Sequence, residues 1–400
     1  MRILYLHQFF ITRAGVGGTR SYEFARRFVE AGHEVTMLTA GQGGGTRTVD
    51  GIEVVEVRGI GDYVSGTGLP YLRRALSFVR FALASALAAM RGPRPDVIYA
   101  TSPPLTIAVP GLAARLRHRA PLVFEARDLW VEGAVQMGAL RNPLLRAAAR
   151  GFERFVHRRA DELIALSPGQ RDGLLATGAD PERTTLVPNA SNLELFSPDI
   201  EGSELRRELG LEDRFVVSYF GTMGEANDLS QVVEAAAHLR ERGEEGIAWV
   251  LLGRGGRRAA YERLAHERGL DNVLFLDPEP DKSSVARLAA ASDACMTIFV
   301  DRPVFSVNSP NKFFDTLAAG RPAVVNVDGW LRQLVEEHEV GVWSRPGDPA
   351  HLAERVLFLR DHPDLVRRYG ENARRLAERE FDLDELARRA LSVLERAAAR

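Results

Sequence analysis

NSPNKFFDTLAAGRPAVVNV, residues 308–327, packs a helix, a turn and a strand into one short stretch. Ser309 suits an N-cap, Pro310 the first helical position, and Gly320 the left-handed turn that closes a helix. The spacing predicts a short helix over Pro310–Ala319, followed at once by a strand over Ala323–Val327. A strand that follows a helix so closely is the rhythm of a parallel α/β sheet.

The same rhythm extends outward in both directions. Upstream of this stretch, strands are expected at Phe215–Phe220, Ile247–Leu252, Val273–Leu276 and Ala294–Val300, each followed by a helix. The first half repeats the alternation, with strands at Arg2–Leu6, Glu34–Thr39, Ile52–Val57, Val97–Ala100, Leu122–Glu125, Glu162–Leu166 and Thr185–Val187. Helical patterns over Thr19–Ala31 and Arg141–Ala160 fall between them. Residues 187–204, VPNASNLELFSPDIEGSE, break the pattern with turn formers. The expectation is two doubly wound Rossmann-like domains facing across a cleft: 1–195, 196–380, and a last helix over 381–400 that could pack back on the first. Ligands of such sheets bind beyond the carboxyl ends of the strands.

Composition bounds the partners. The 400 residues carry 52 basic and 54 acidic side chains, a net charge of -2, which gives no electrostatic footprint for nucleic acid. The single cysteine, Cys295, excludes a disulfide framework and a cysteine-built zinc site. No stretch reads as a signal peptide or a membrane span, so a cytoplasmic protein is expected. Tyr71–Arg91, where Arg73, Arg74 and Arg80 stand among Leu72, Leu76, Phe78, Val79 and Phe81, reads either as a core helix with an exposed arginine edge or as a peripheral contact with a membrane. Only Lys282 and Lys312 are lysines, and a lysine kept where arginine serves every generic need draws attention.

Lys312 and Asn311 stand in the first turn of the expected helix 310–319. A cation beside a positive helix end is unfavourable unless an anion such as a diphosphate binds there. Two glycine-rich loops at strand ends of the same domain could complete that site: Gly221-Thr222-Met223-Gly224 and Gly253-Arg254-Gly255-Gly256. In the first domain the turn Gly15–Thr19, with Gly17 and Gly18, opens a helix, but no acid follows the second strand, which argues against a nicotinamide dinucleotide. Glu125, Arg127 and Asp128 crowd a strand end, with Asp128 the best candidate to contact an acceptor hydroxyl or act as its base. His7 ends the first strand, and for it a structural role is as well supported as a functional one. Asp382-Leu383-Asp384 reads as a cap rather than a metal pair, so the site is expected to be metal-free, and no P-loop, nucleophile elbow or His-Glu-x-x-His occurs.

The order of the glycine loop, Glu125-x-Arg127-Asp128-Leu129-Trp130, Leu166-Ser-Pro-Gly169, Val187-Pro-Asn189, Gly221-Thr-Met-Gly224 and Pro310-Asn-Lys-Phe-Phe-Asp-x-Leu-Ala-Ala-Gly-x-Pro322 resembles glycosyltransferase family 4, and more narrowly its WbuB-like branch for surface polysaccharides. The resemblance implies a GT-B fold, a nucleotide-sugar donor on the second domain, an acceptor on the first, retention of anomeric configuration and no cofactor besides the UDP-sugar co-substrate. It implies a donor contact for Asp315 and places Arg127 and Asp128 near the transferred sugar; the residues' own settings add Gly17, Gly18, Thr222, Arg254, Asn311 and Lys312 as expected donor contacts, His7 beside Arg127 and Asp128 for the acceptor, and catalytic parts for Asp128, Lys312 and Arg254. Asp315 matches the second Glu of the family's Glu-x7-Glu, which binds the donor ribose. Val307 stands where the first Glu belongs, and Thr222 with Asn227 or Asp228 where the diphosphate-binding Arg and Lys belong. Lys312 and Arg254 are expected to supply that charge. Two other readings stay open: a non-catalytic glycan- or transferase-binding protein, which the lost residues motivate, and a nucleotide-sugar epimerase on the same two-domain plan, built on His7 and Asp128.

Overall fold

The computed structural model describes residues 1–400 except 16, 42–43, 60–70 and 280, and omits the side chains of 71–75. Leu72, Arg73 and Arg74 of the expected amphipathic stretch therefore lie outside the described side chains. The chain divides into two compact units: Met1–Thr12, Gly18–Pro188 and Asp384–Arg400 form the first, Arg13–Gly17 and Asn189–Leu383 the second.

The first unit is built on strands β1 (Arg2–Leu6), β2 (Glu34–Gly41), β3 (Gly45–Val49), β4 (Ile52–Arg58), β5 (Val97–Thr101), β6 (Leu122–Ala126), β7 (Glu162–Ala165) and β8 (Thr184–Leu186), in the order β3-β4-β2-β1-β5-β6-β7-β8. All neighbours pair in parallel except β3 with β4. Helices α1 (Arg20–Glu30), α2 (Tyr71–Arg91), α3 (Ala108–His118), α4 (Trp130–Gln136), α5 (Pro143–Arg159) and α6 (Pro168–Ala176) connect them.

Alternation along the strands assigns the two faces. Leu4, Leu6, Ile98, Ala100, Leu122 and Phe124 share one buried cluster with Phe81 and Ala89 of α2, Ala114 of α3 and Val156 of α5. Tyr5 and Tyr99 point the other way, where their rings meet each other and Tyr99 also meets Phe28 of α1.

The second unit carries β9 (Phe215–Phe220), β10 (Ile247–Leu252), β11 (Val273–Leu276), β12 (Ala294–Thr297), β13 (Ala323–Val325) and β14 (Gly341–Trp343), all parallel, in the order β11-β10-β9-β12-β13-β14. Runs such as Ile-Ala-Trp-Val-Leu-Leu are buried along their whole length because helices cover both faces. Helices α7 (Ser203–Glu208), α8 (Ser230–Glu241), α9 (Arg258–Glu267), α10 (Ser283–Ala291), α11 (Asn311–Ala318), α12 (Trp330–Glu337), α13 (Pro349–Asp361) and α14 (Pro363–Glu380) follow, and α15 (Leu383–Ala398) ends the chain. Among the described residues no helix is long and apolar enough to cross a membrane.

One local expectation is corrected. Pro310, not Ser309, stands at the N-cap of α11 and offers no side-chain bond to it. Ser309 instead accepts the Asn189 backbone N–H on its hydroxyl at 3.1 Å, and its carbonyl accepts the Asn189 side-chain amide. A hydroxyl drawn to a neighbouring strand of chain is lost to its own helix, so the amides of Asn311 and Lys312 receive no side-chain cap, while Phe313 N–H bonds the Pro310 carbonyl at 3.1 Å.

Candidate functional site

In the second unit the parallel register sets Leu252 beside Phe220, so the loops starting at Gly221 and Gly253 leave the sheet together. Backbone stitches them: Met223 N–H donates to the Arg254 carbonyl at 2.8 Å, and Arg257 N–H to the Met223 carbonyl at 3.0 Å. A Cβ at Gly253 would stand 1.9 Å from the Gly221 oxygen, and one at Gly255 2.3 Å from that of Met223. The glycines are needed because backbone lies on backbone.

Lys312, from the first turn of α11, reaches this edge. Its Nζ donates to Tyr219 Oη at 2.6 Å and lies 4.0 Å from the centre of that ring and 5.5 Å from that of Phe299. Tyr219 passes its own proton to the Thr222 carbonyl at 2.7 Å, so its oxygen is free to accept. A Cβ at Gly221 would come within 3.3 Å of the ammonium. The cation thus rests on one hydroxyl and two aromatic rings. No carboxylate pairs with it among the described residues. Burial pushes its pKa from 10.5 down to about 7.

Asp315, one turn further along α11, is 4% exposed. Its carboxylate accepts Ser191 Oγ at 2.8 Å and faces Lys282 Nζ at 3.3 Å. Burial raises its pKa, and Lys282 opposes that shift. Lys282 also lies 5.6 Å from the Phe196 ring centre. Both lysines of the chain therefore converge on one short helix. Sequence reasoning singled out Lys282 only by its rarity and gave it no role. Arg254 stands apart from this pair of contacts: its side chain is 59% exposed and its Nε lies 3.5 Å from Asp277. Thr222 contributes its carbonyl to the Tyr219 contact, and Asn311 occupies the first residue of α11.

In the first unit β1, β5 and β6 end at one edge of the sheet. Arg127 N–H donates to Ser102 Oγ at 3.0 Å, and the Arg127 carbonyl accepts Gln170 Nε2 at 2.9 Å. Asp128 follows in the loop and is exposed. The protein around it pushes its carboxyl from 3.8 up to about 6, and Arg127 only partly offsets this. His7, 2% exposed, bonds Ser21 Oγ through Nδ1 at 2.8 Å, and burial first, then Arg127, holds its pKa well below 6.5. Gly18 is half-buried just before Thr19 and α1, while Gly17, counted with the second unit, is exposed with φ 146°.

Glu125 is a different kind of residue. It is fully buried in β6, where Arg20 of α1 grips Oε1 through Nε at 3.0 Å and Nη2 at 2.8 Å. Thr101 Oγ1 donates to Oε2. Burial alone would raise this carboxyl, but Arg20 outweighs it and the pKa is lowered. Arg20 spends its remaining donors on the Pro188 and Val187 carbonyls at 2.6 and 2.9 Å. Nothing in the sequence distinguished Arg20 from the other arginines.

Residues 16–190 match the family described as glycosyl transferase 4-like domain, and residues 202–376 that described as glycosyl transferases group 1. The protein of Escherichia coli K12 named for colanic acid biosynthesis glycosyl transfer, WcaI, is 29% identical over 75% of this chain and 76% of its own length. The alpha-D-kanosaminyltransferase of Streptomyces kanamyceticus is 27% identical over 59% of this chain, and the match spans 60% of the relative's length. Among solved structures, sucrose-phosphate synthase from Thermosynechococcus elongatus superposes with a TM-score of 0.79 at 18% identity, covering 100% of this chain and 99% of the other. Anabaena HepE in complex with UDP and glucose gives 0.73 at 20%, covering 99% and 100%. These likenesses fix the fold as GT-B.

Proposed function

Because the chain belongs to the glycosyltransferases, a glycosyl transferase 4-like half followed by a group 1 half, we propose that it moves a sugar from a UDP-sugar to a saccharide or lipid-linked saccharide in surface polysaccharide assembly. The observation that carries this reading is Lys312: a partly buried ammonium with a hydroxyl and two rings for company and, among the described residues, no counter-ion. A diphosphate seated at the open end of α11 supplies the missing charge, and the loop amides beyond β9 and β10 add donors. The HepE complex with UDP and the colanic acid name of WcaI point the donor and the pathway class in the same direction.

In this reading Lys312 and the first-turn amides at Asn311 hold the departing diphosphate, with Thr222, Arg254 and Gly17 contributing further contacts. Asp315 takes the ribose, though only by sharing a carboxylate already bound to Ser191 and Lys282. His7, Arg127 and Asp128 receive the acceptor, Asp128 drawing the proton of the attacking hydroxyl. The donor is an N-acetylated deoxy-amino sugar by the WbuB-like resemblance, the configuration is retained, and no metal or other cofactor takes part. The enzyme works at the inner face of the membrane, where lipid-linked acceptors lie.

Lys312→Ala tests the reading directly. Turnover of the nucleotide sugar should fall about a hundredfold, the loss expected when a preorganised donor to a developing charge is removed. A change under about threefold defeats the proposal. Failure of the wild-type protein to bind UDP by calorimetry defeats the donor-site reading altogether and favours a non-catalytic binding protein.

A further inference from the structure

The large exposed apolar side chains of the described residues are concentrated on one layer of the first unit. Leu76, Val79, Leu83 and Leu87 line α2, Leu116 projects from α3 with 85% exposure, and Leu144, Leu145 and Phe155 stand on α5. These helices pack on the same sheet face and α2 lies against α3. Their sequences contain eleven arginines and a single glutamate, Glu153, in a chain whose net charge is -2. Arg117, Arg154 and Arg158 are exposed and make no ion pair among the described residues.

Between α3 and α5, with Arg400 at its edge, the layer opens a cavity of about 700 Å³, where Arg119 and Arg159 meet Leu116 and Phe155; Asp161 also lines it, its charge taken up by Arg115 at 2.8 Å. The bulk of the molecule is acidic enough to cancel this layer, so the segregation of charge is a property of the surface, not of the composition.

We propose that this three-helix layer binds an anionic phospholipid surface, with the cavity between α3 and α5 taking a phosphate head on its guanidiniums and the upper acyl chain against Leu116 and Phe155. Apolar ridges set among unpaired cations suit the boundary between head groups and acyl chains. A second copy of the chain does not suit the face, because two arginine-rich layers repel each other. An acidic protein would pair the guanidiniums but leave a cavity with both cationic and apolar walls half used. The surface includes α2, whose sequence alone left a core helix equally open, and extends it to two helices the sequence did not connect with a membrane. It stands apart from the donor reading, since vesicle binding needs no turnover.

Co-sedimentation of the full chain with vesicles tests it. The wild-type protein should pellet with phosphatidylcholine vesicles containing phosphatidylglycerol, not with phosphatidylcholine alone, and salt should release it. A triple variant, Arg117→Gln, Arg154→Gln and Arg158→Gln, should bind about a hundredfold more weakly, since each arginine near the surface is worth about fivefold. Leu116→Ser with Phe155→Ser should weaken binding at high salt more than at low. The thermal transitions of both variants should match wild type, because these side chains are exposed. Wild-type protein that ignores both vesicle types overturns the proposal and returns the face to an acidic protein partner. Equal binding to both vesicle types, or a triple variant that binds as wild type does, also overturns it.

Discussion

Glu125 in the first unit and Lys312 in the second are each a charge drawn out of water at a strand end, and the protein treats them in opposite ways. Around Glu125 it supplies everything: a guanidinium on one oxygen, a hydroxyl on the other, and two carbonyls to finish the guanidinium. Around Lys312 it supplies a hydroxyl and two rings and, among the described residues, no anion. The first arrangement is complete without a ligand and belongs to the fold. The second is incomplete, and a site that stays incomplete in the folded chain is one kept for an anion from outside.

If that contrast is right, breaking the complete arrangement should damage stability, and breaking the incomplete one should damage function. The largest effect is expected for Arg20→Met, which leaves Glu125 buried without its partner; a loss of about 3–5 kcal/mol in unfolding free energy is the usual size for such a break. Urea titration reads it, and a loss under about 1 kcal/mol would place Glu125 in a wetter setting than described. Lys312→Ala should leave the melting temperature unchanged or higher, since it removes a desolvated cation that no described carboxylate pairs, while turnover falls about a hundredfold.

The Lys312 contrast also has a pH signature. Its pKa near 7 means that part of the population must take up a proton when the diphosphate binds. UDP affinity should therefore decline as pH rises above 7, and Lys312→Arg should flatten the slope. Asp128 acts in the other direction. With its carboxyl raised to about 6, it is ionised above that pH and protonated below it. If it draws the acceptor proton, kcat should fall about tenfold per unit below pH 6, and Asp128→Asn should abolish that limb.

The two regions were not equally legible in the sequence. Strands β9, β10 and β11 fall on their expected residues because they are apolar runs, broken only by Ser218, between turn formers. Strand β3, Gly-Thr-Arg-Thr-Val, was missed because it is an exposed antiparallel edge with almost no apolar signal. Ala294–Val300 was read too long: β12 stops at Thr297, where the apolar run continues off the sheet and Phe299 N–H turns to the Asn326 side chain. Lys312 was visible because it breaks two local rules at once, a cation at a helix start and a lysine in an arginine-rich chain. Arg20 broke none. Its importance comes from a carboxylate 105 residues away, and only the pairing of β1, β5 and β6 brings the two together.

Lys282 and Arg254 sharpen the contrast from between its extremes. Lys282 partners Asp315, so the pair is complete until a ribose asks for the same carboxylate. Removing a charge-assisted bond of about 1.5–3 kcal/mol by Lys282→Met should raise the KM for donor about tenfold, with kcat little changed and Lys282→Arg restoring part of the loss. A kcat effect as large as that of Lys312→Ala would move Lys282 into the group that meets the diphosphate.

Arg254 should give the smallest change. Its guanidinium is mostly in water and spends its charge on Asp277, which Arg258 also holds at 2.7 Å. Moving it to a phosphate exchanges one solvated pair for another, a difference of at most about 1 kcal/mol. Arg254→Ala should therefore cost about threefold to fivefold in kcat/KM, and the loss should shrink with added salt, whereas that of Lys312→Ala should not. Equal losses from the two variants would mean that the exposed fork and the half-buried ammonium act on the diphosphate as one unit, and that burial is not what separates a kept charge from an ordinary one in this fold.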